Sequence, residues 1–380
     1  MFIIMKSLSS LIATAAFVVT NNKTANAGAL PHLSEDSLDS RDAEAELSVH
    51  QKTDLNTFVP DEANNSIGTT YDSIISMIKP NILDEVLPNS ASMLGCVRAK
   101  DSEELYRLIV AADPGGEVRL CPGIVEFNEE IVLTDSITIA CAGPKYSCMF
   151  DGNGVTRHLV SESSSAYAFS GIAFINGFSG LSGIGGSVQF GDIGTNAPTS
   201  LFDRCLFDGN RAISSSSFAG GGAILVVGGA TVVNNCVFLG NAAISTAESN
   251  MSSYAYGGAI EIVNGDLSVL DCTFTENRAL QDDLSPQAQG GGGAIFFVSY
   301  GPNINILVAG SVLELNEASN EGGVALIDEA NVGKVKVGWI NNNELLFGNT
   351  DNDGCDGVLV KRSYDDTAST CASVGDNFFV

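Results

Sequence analysis

Along the C-terminal half of the chain, short apolar stretches of strand length end repeatedly in the same polar residue. They run CLFDGN (Cys205 to Asn210), CVFLGN (Cys236 to Asn241), CTFTEN (Cys272 to Asn277), SVLELN (Ser311 to Asn316) and ELLFGN (Glu344 to Asn349). The third position is large and apolar in every copy, giving the column Phe207, Phe238, Phe274, Leu313 and Leu346. The first position reads Cys205, Cys236, Cys272, Ser311 and Glu344, and positions one and three of a strand share a face. The polar column is Asn210, Asn241, Asn277, Asn316 and Asn349, recurring at 31, 36, 39 and 33 residues. Such recurrence marks a repeat architecture in which each copy is one coil of a β-solenoid.

A second unit follows each copy: a glycine, then a run rich in β-formers. Examples are Gly222-Ala223-Ile224-Leu225, Gly258-Ala259-Ile260, Gly293-Ala294-Ile295, Gly323-Val324-Ala325 and Gly357-Val358-Leu359. From glycine to the next asparagine the spacing is 19, 19, 23 and 26 residues, room for short strands separated by tight turns. The asparagine-to-glycine gaps of 12, 17, 16, 7 and 8 residues read as inserted loops projecting from one edge, the first place to look for partner binding. The apolar columns fit side chains stacked one strand spacing apart, about 4.8 Å. The asparagine suits either a left-handed turn or side-chain bonding between coils, and the glycine a corner with no room for a β-carbon. A weaker sixth copy places Ile172, Phe174 and Asn176-Gly177 in the same positions, so the solenoid starts before residue 200.

Upstream, Asp101 and Glu104 form a D-x-x-E cap, and Leu105, Leu108, Ile109 and Ala112 share one face, predicting a single amphipathic helix over 101–112. Strand-like EVRLC, IVEF, EEIVL and SITIAC follow. This order resembles the N-terminal cap of right-handed parallel β-helix proteins of pectin-lyase-like fold, and the coils resemble the repeats of polymorphic outer membrane proteins and of secreted right-handed β-helix proteins. The resemblance covers residues 96 to 380 and implies an all-β, right-handed parallel β-helix whose short N-terminal helix plugs the open end. Residues 96–165 would then be the cap and first coils, and 166–380 the repeat coils and C-terminal cap.

Lys6, the apolar stretch Leu11 to Val19, and Ala25-Asn26-Ala27 match the three parts of a secretory signal, with cleavage before Gly28. That run is too short to span a bilayer, and no later segment is long enough, so the expectation is an exported protein without a transmembrane span. Residues 28–95 lack the coil pattern; between Leu33 and Glu62 stand nine acids against two bases, which reads as a flexible acidic leader, either propeptide or tether. Removing residues 1–27 removes two lysines and no acid, taking the net charge from −27 to −29. Nucleic acid is thereby excluded as a partner. Asn64 and Asn250 head Asn-x-Ser sequences, candidate glycosylation sites.

Nine cysteines fit an oxidising compartment but not simple pairing. Cys141 with Cys148, Cys355 with Cys371, and Cys96 with Cys121 are the candidate disulfides, all near the solenoid ends. Cys205, Cys236 and Cys272 read as a ladder of small buried hydrophobes rather than a metal site, since a stacked row cannot offer tetrahedral ligands.

The pectin-lyase-like fold often carries polysaccharide-cleaving enzymes. Asn349-Thr350-Asp351 and Asp282-Asp283 resemble polygalacturonase elements, whose paired aspartates act across the glycosidic bond, but they occur in reversed order and without the later Gly-His-Gly and Arg-x-Lys. Arg211 and Arg278 follow the asparagine at equivalent places, making them repeat positions before they are bases. Asn349-x-Asp351-x-Asp353-Gly354 resembles the front of a calcium loop, but Val360 stands where a bidentate glutamate belongs. Calcium is therefore the one cofactor considered, and no catalytic, cofactor or metal residue is assigned. The leading expectation is an extracellular or cell-surface protein with a structural or binding role toward extracellular polysaccharide or a cell-wall or matrix protein. A divergent polysaccharide lyase or hydrolase is the first alternative, favoured if Asp203, Asp271, Arg204 or Asp282 cluster. An adhesin using the loop of residues 242 to 257, with exposed Tyr254 and Tyr256, is the second.

Overall fold

The computed structural model describes residues 95–325 except 192–197, 216–217, 247–252, 282–288, 301–303 and 320–321, and beyond these the backbone of strands out to Phe378–Phe379. The chain winds as a parallel β-solenoid with three long faces. In one coil, Ala230–Asn234 lies on the first face, Val237–Leu239 on the second and Ile260–Val263 on the third. Each strand pairs in parallel with its equivalents in the coils before and after. Two antiparallel strands, Phe378–Phe379 on the first face and Thr370–Ala372 on the third, end the stack.

The helix α1 (Ser102–Ala111) starts at Asp101, whose carboxylate accepts from the Glu104 N–H at 2.9 Å, while the Glu104 carboxylate accepts from the Lys100 N–H at 3.0 Å. Leu105 is fully buried in the solenoid core, and Leu108, Ile109 and Ala112 pack against it, so the apolar stripe covers the first coil. Disulfides join Cys96 to Cys121, tying the segment before α1 to the end of the first strand, and Cys141 to Cys148, across the next corner. Cys355 lies outside the described residues, as do Asn64 and Asn250.

Inside the stack the phenylalanines lie almost flat on one another. Phe174–Phe207, Phe207–Phe238 and Phe238–Phe274 have ring centroids 4.9, 4.8 and 4.6 Å apart and planes within 4° of parallel. Parallel strands in strict register impose this spacing, so identical side chains stack at the strand repeat. Leu313 continues the column. In the next coil the register sets Leu345 opposite Leu313 and Glu344 opposite Val312; the expected member Leu346 lies outside the described residues.

Asn210, Asn241, Asn277 and Asn316 are fully buried and form a continuous amide ladder. Asn241 donates from Nδ2 to the Phe207 carbonyl at 3.0 Å and to Asn277 Oδ1 at 2.9 Å, while its own Oδ1 accepts from the Asn210 N–H at 3.1 Å and Asn210 Nδ2 at 2.9 Å. Asn277 and Asn316 repeat the pattern. Of the two roles considered for this column, inter-coil bonding is the one realised. The left-handed residue is the one before: Gly209, Gly240, Glu276 and Leu315, with φ between 55° and 64°. Glycine meets that demand freely, whereas a γ-branched leucine does not. Leu315 is also 46% exposed, so little packing offsets the strain. Leu315→Asn is therefore expected to raise stability by about 0.5–1 kcal/mol, read as an upward shift of the urea midpoint; a downward shift would mean the leucine side chain earns its place by contacts.

The asparagine-to-glycine gaps correct the sequence reading. They are not plain inserted loops but contain two further strand ladders, Arg211–Ser214, Ala242–Ser245, Arg278–Gln281 and Glu317–Ala318 in one, Phe218–Gly220, Tyr254–Tyr256 and Gln289–Gly291 in the other. The chain thus runs out along one strand and back along another beside the third face.

Candidate functional site

This lateral excursion is where coil length varies most, and its local sequence explains its return. Each outgoing strand carries a small buried residue, Ala212, Ala243, Ala279 or Ala318, and each returning strand ends in a glycine pair before the third face. At the first glycine of the pair, Gly221, Gly257 and Gly292, φ is 60° to 66°. At the second, a β-carbon on Gly222, Gly258 or Gly293 would sit 2.0–2.1 Å from the next coil's glycine carbonyl oxygen. Only glycine admits that backbone contact, so the Gly-Gly-Ala run fixes where the excursion rejoins the stack.

The returning strands lie over the outward side of the third face. Tyr256 stacks on Phe296 with centroids 4.2 Å apart, and Phe218 lies 6.0 Å from Tyr256. Tyr254 is 8% exposed. The tyrosines considered as an exposed contact surface therefore pack back on the solenoid.

Glu261, on the third-face strand Ile260–Val263, lies against the returning ladder. Its alternation, Ile260-Glu261-Ile262, reads as an outward solvated position, yet the carboxyl is 1% exposed and Oε2 has no hydrogen-bond partner. It lies against Gly220, where a β-carbon would come 1.6 Å from Oε2. Burial pushes its pKa well above 4.5. Gln281, at the end of an outgoing strand, is a second buried side chain whose amide atoms lack partners. Neither was found from sequence, because strand alternation cannot reveal that a second ladder covers the outer face.

The sign of the Glu261 contribution follows from its raised pKa. A carboxyl that stays protonated in the fold gives stability that is full below the unfolded value and declines as pH rises toward the folded one. His158 acts oppositely: burial lowers its pKa from 6.5 to about 4, so its contribution is full above 6.5 and declines as pH falls through that window. Glu261→Gln is expected to gain on the parent as pH rises above 4.5, the unfolded value, by up to ~1.4 kcal/mol per pH unit until the folded-state pKa is passed. His158 is common to both proteins and cancels from the difference, so a stability gap that stays constant with pH from 4.5 upward would contradict this.

The other chemistry-bearing residues are built into the stack. His158 is fully buried, with Nδ1 2.9 Å from Ser187 Oγ and its ring edge-on to Phe127. Cys205, Cys236 and Cys272 are buried free thiols; the Cys205 N–H donates to Cys236 Sγ at 3.2 Å, and the Cys272 N–H to Ser311 Oγ at 3.2 Å. Burial raises the Cys236 thiol well above its ordinary pKa, the opposite of what a nucleophile or metal ligand needs. Arg204 pairs with Asp203 at 2.8 Å and donates to Ser170 Oγ at 3.1 Å, and Asn234 donates to Asp203 Oδ1 at 2.8 Å.

Asp271 occupies the corner two coils further on, about 10 Å along the stack, left-handed like Arg204 and Asn235. The carboxylates Asp203 and Asp271 are thus corner residues separated by Asn234 and Asn235, not a pair facing one bond. Arg211 and Arg278 are exposed first residues of the outgoing ladder, Arg278 lying 3.5 Å from Glu317. Asp282-Asp283 and Asn349 to Gly354 lie outside the described residues. Among the described residues no group of three or more His, Cys, Asp or Glu is placed to hold a metal ion, and no helix is long and apolar enough to cross a membrane.

Comparison with known proteins agrees with the repeat geometry. Residues 271–298 match the Chlamydia polymorphic membrane protein (Chlamydia_PMP) repeat. That segment runs from the corner Asp271 through Cys272, Phe274 and Asn277 to the Gly-Gly-Ala-Ile entry of the third face. No curated protein matches the chain in sequence. Among solved structures it is similar to the PL6 family alginate lyase AlyGC, at 11% identity and a TM-score of 0.32, covering 74% of this chain and 42% of the lyase chain. This chain therefore spans less than half the length of that structure, and so weak a superposition lends no argument about activity. The chain is a parallel β-solenoid protein built from coils that resemble polymorphic membrane protein repeats.

Proposed function

We propose that the protein is exported and works at the cell surface or in the extracellular matrix as a rigid β-helix that binds, rather than cleaves, an extracellular polysaccharide or a wall or matrix protein. One observation carries the reading: the residues repeated from coil to coil are consumed in coil-to-coil bonding. The asparagine amides bond to the next coil, the cysteines and Ser311 accept or donate along their own ladder, and the phenylalanines stack. Length varies most in the lateral excursions, from 7 to 17 residues between asparagine and glycine, and residues 247–252, Ala-Glu-Ser-Asn-Met-Ser, are the polar middle of the longest of these segments in sequence. The signal-like N-terminus, the two disulfides and the acidity of the chain support an oxidising exterior.

The test is retention of residues 28–380 on immobilised neutral and anionic polysaccharides and on wall and matrix preparations, with calcium or a chelator. Replacing 247–252 by a Gly-Ser linker is expected to lower retention at least tenfold with the thermal unfolding midpoint unchanged. Equal retention of parent and linker variant would place binding elsewhere, and no retention on any surface would remove the binding role.

A further inference from the structure

The outward side of the first face carries a column that should be wet and is not. Ala168, Leu201, Val232, Ser268 and Leu307 stand in register on successive strands, alternating with the inward Phe169, Phe202, Val233, Val269 and Val308. Their exposures are 4, 5, 1, 2 and 9%. Ala168, Leu201 and Val232 form an apolar cluster of their own, to which Ala230 alone is added. The flanking outward positions Thr199, Ala230, Asp266 and Asn305, and on the other side Asp203, Asn234 and Leu270, are half-buried. A covered central stripe between partly open flanks is the footprint of a narrow element about as wide as a helix.

The chain supplies one candidate of suitable composition and reach. Residues 67–94 lie outside the described residues and differ from the acidic stretch 33–62. Tyr71, Ile74, Ile75, Ile78 and Ile82 follow the i, i+3, i+4, i+7 spacing, with Asp72, Ser73, Ser76 and Lys79 between them. Thr70 stands at the start as a cap, and Pro80 and Pro88 punctuate the run, which continues through Leu83, Val86 and Leu87. A flexible solvated leader needs no such face. The spacing predicts a helix over 70–79, about 15 Å long, against a stripe of about 19 Å from Ala168 to Leu307.

The attachment point fits as well. Gly95 begins the described chain, Cys96 is bonded to Cys121 just past the first-face strand Glu117–Leu120, and Val97 pairs with Leu120. Residues 80–94 then need to cross two coils to reach Ala168, well within their extended reach of about 50 Å. We propose that residues 67–87 dock on the outward stripe Ala168–Leu201–Val232–Ser268–Leu307 of the same chain, as an intramolecular cover rather than part of a free leader.

Hydrogen exchange on residues 28–380 tests this. Amides of 67–87 are expected to exchange at least tenfold more slowly than those of 33–62, and Ile74→Ser with Ile78→Ser to remove the difference while amides of 237–239 keep their protection. A Leu201→Cys reporter thiol should label slowly in the parent and at least tenfold faster in that double variant, which cannot disturb the stack itself. Val232→Asp should release 67–87 in the same way. Exchange of 67–87 as fast as 33–62 overturns the proposal. So does protection that survives both the double variant and Val232→Asp, or a Leu201→Cys thiol that becomes reactive on dilution as a dimer dissociates in sedimentation, which would make a second copy the cover.

Discussion

Asn241→Ala is expected to destabilise the protein by roughly 3–5 kcal/mol, a large effect for removing a polar side chain. The side chain is fully buried and joins two neighbouring coils through four bonds. Alanine leaves the Asn210 N–H and the Phe207 carbonyl without these partners in a place water does not reach. Each such orphan costs about 1–3 kcal/mol. The ladder also continues to Gly177 above and Asn316 below, so its members polarise one another. Urea unfolding checks this through the midpoint at unchanged slope. A loss under 1 kcal/mol would mean that water or a shifted side chain replaces the amide, and that the stack does not depend on it.

Gly258→Ala is the second large effect, and it separates two reasons for glycine. The added methyl would lie 2.0 Å from the Gly293 carbonyl oxygen, 2.4 Å from the Arg278 nitrogen and 2.6 Å from the Arg278 carbonyl carbon. All three are backbone atoms, so no rotamer change relieves the contact and neighbouring coils must move apart. A cost of roughly 3 kcal/mol or more is expected. Gly240→Ala offers the contrast: φ is +60° but nothing lies within 4 Å of the built β-carbon. That change should cost only about 1 kcal/mol, from backbone conformation alone. Thermal unfolding of the two variants side by side should rank them in this order, and the reverse ranking would mean that the coils yield more easily than the turn. In a stack where each coil touches only its neighbours, a break at Gly258 would also divide the molecule into two less stable parts.

What the sequence made legible follows from what a solenoid repeats. The phenylalanine, asparagine and cysteine columns are visible because each coil must present the same shape to the next, and the glycine before the third face because a backbone contact excludes every other residue. The asparagine's role stayed open between two mechanisms until its bonds were seen, since Gly209 or Glu276 beside it meets the left-handed requirement instead. The lateral ladders were missed because their strands, such as Arg211–Ser214 and Tyr254–Tyr256, are short and differ in sequence between coils, and alternation alone does not distinguish them from loop. Glu261 was invisible for the same reason: a lone acid between two isoleucines reads as solvated unless another layer covers it.

The most direct measurement is incubation of residues 28–380 with neutral and anionic polysaccharides, with calcium or a chelator, following both reducing ends and the absorbance of unsaturated products. A rigid β-helix that binds without cutting gives neither signal on any polysaccharide, including one that retains it. New reducing ends at a rate proportional to protein concentration would contradict the account and establish a glycan-cleaving enzyme, with unsaturated products and calcium dependence identifying it as a lyase.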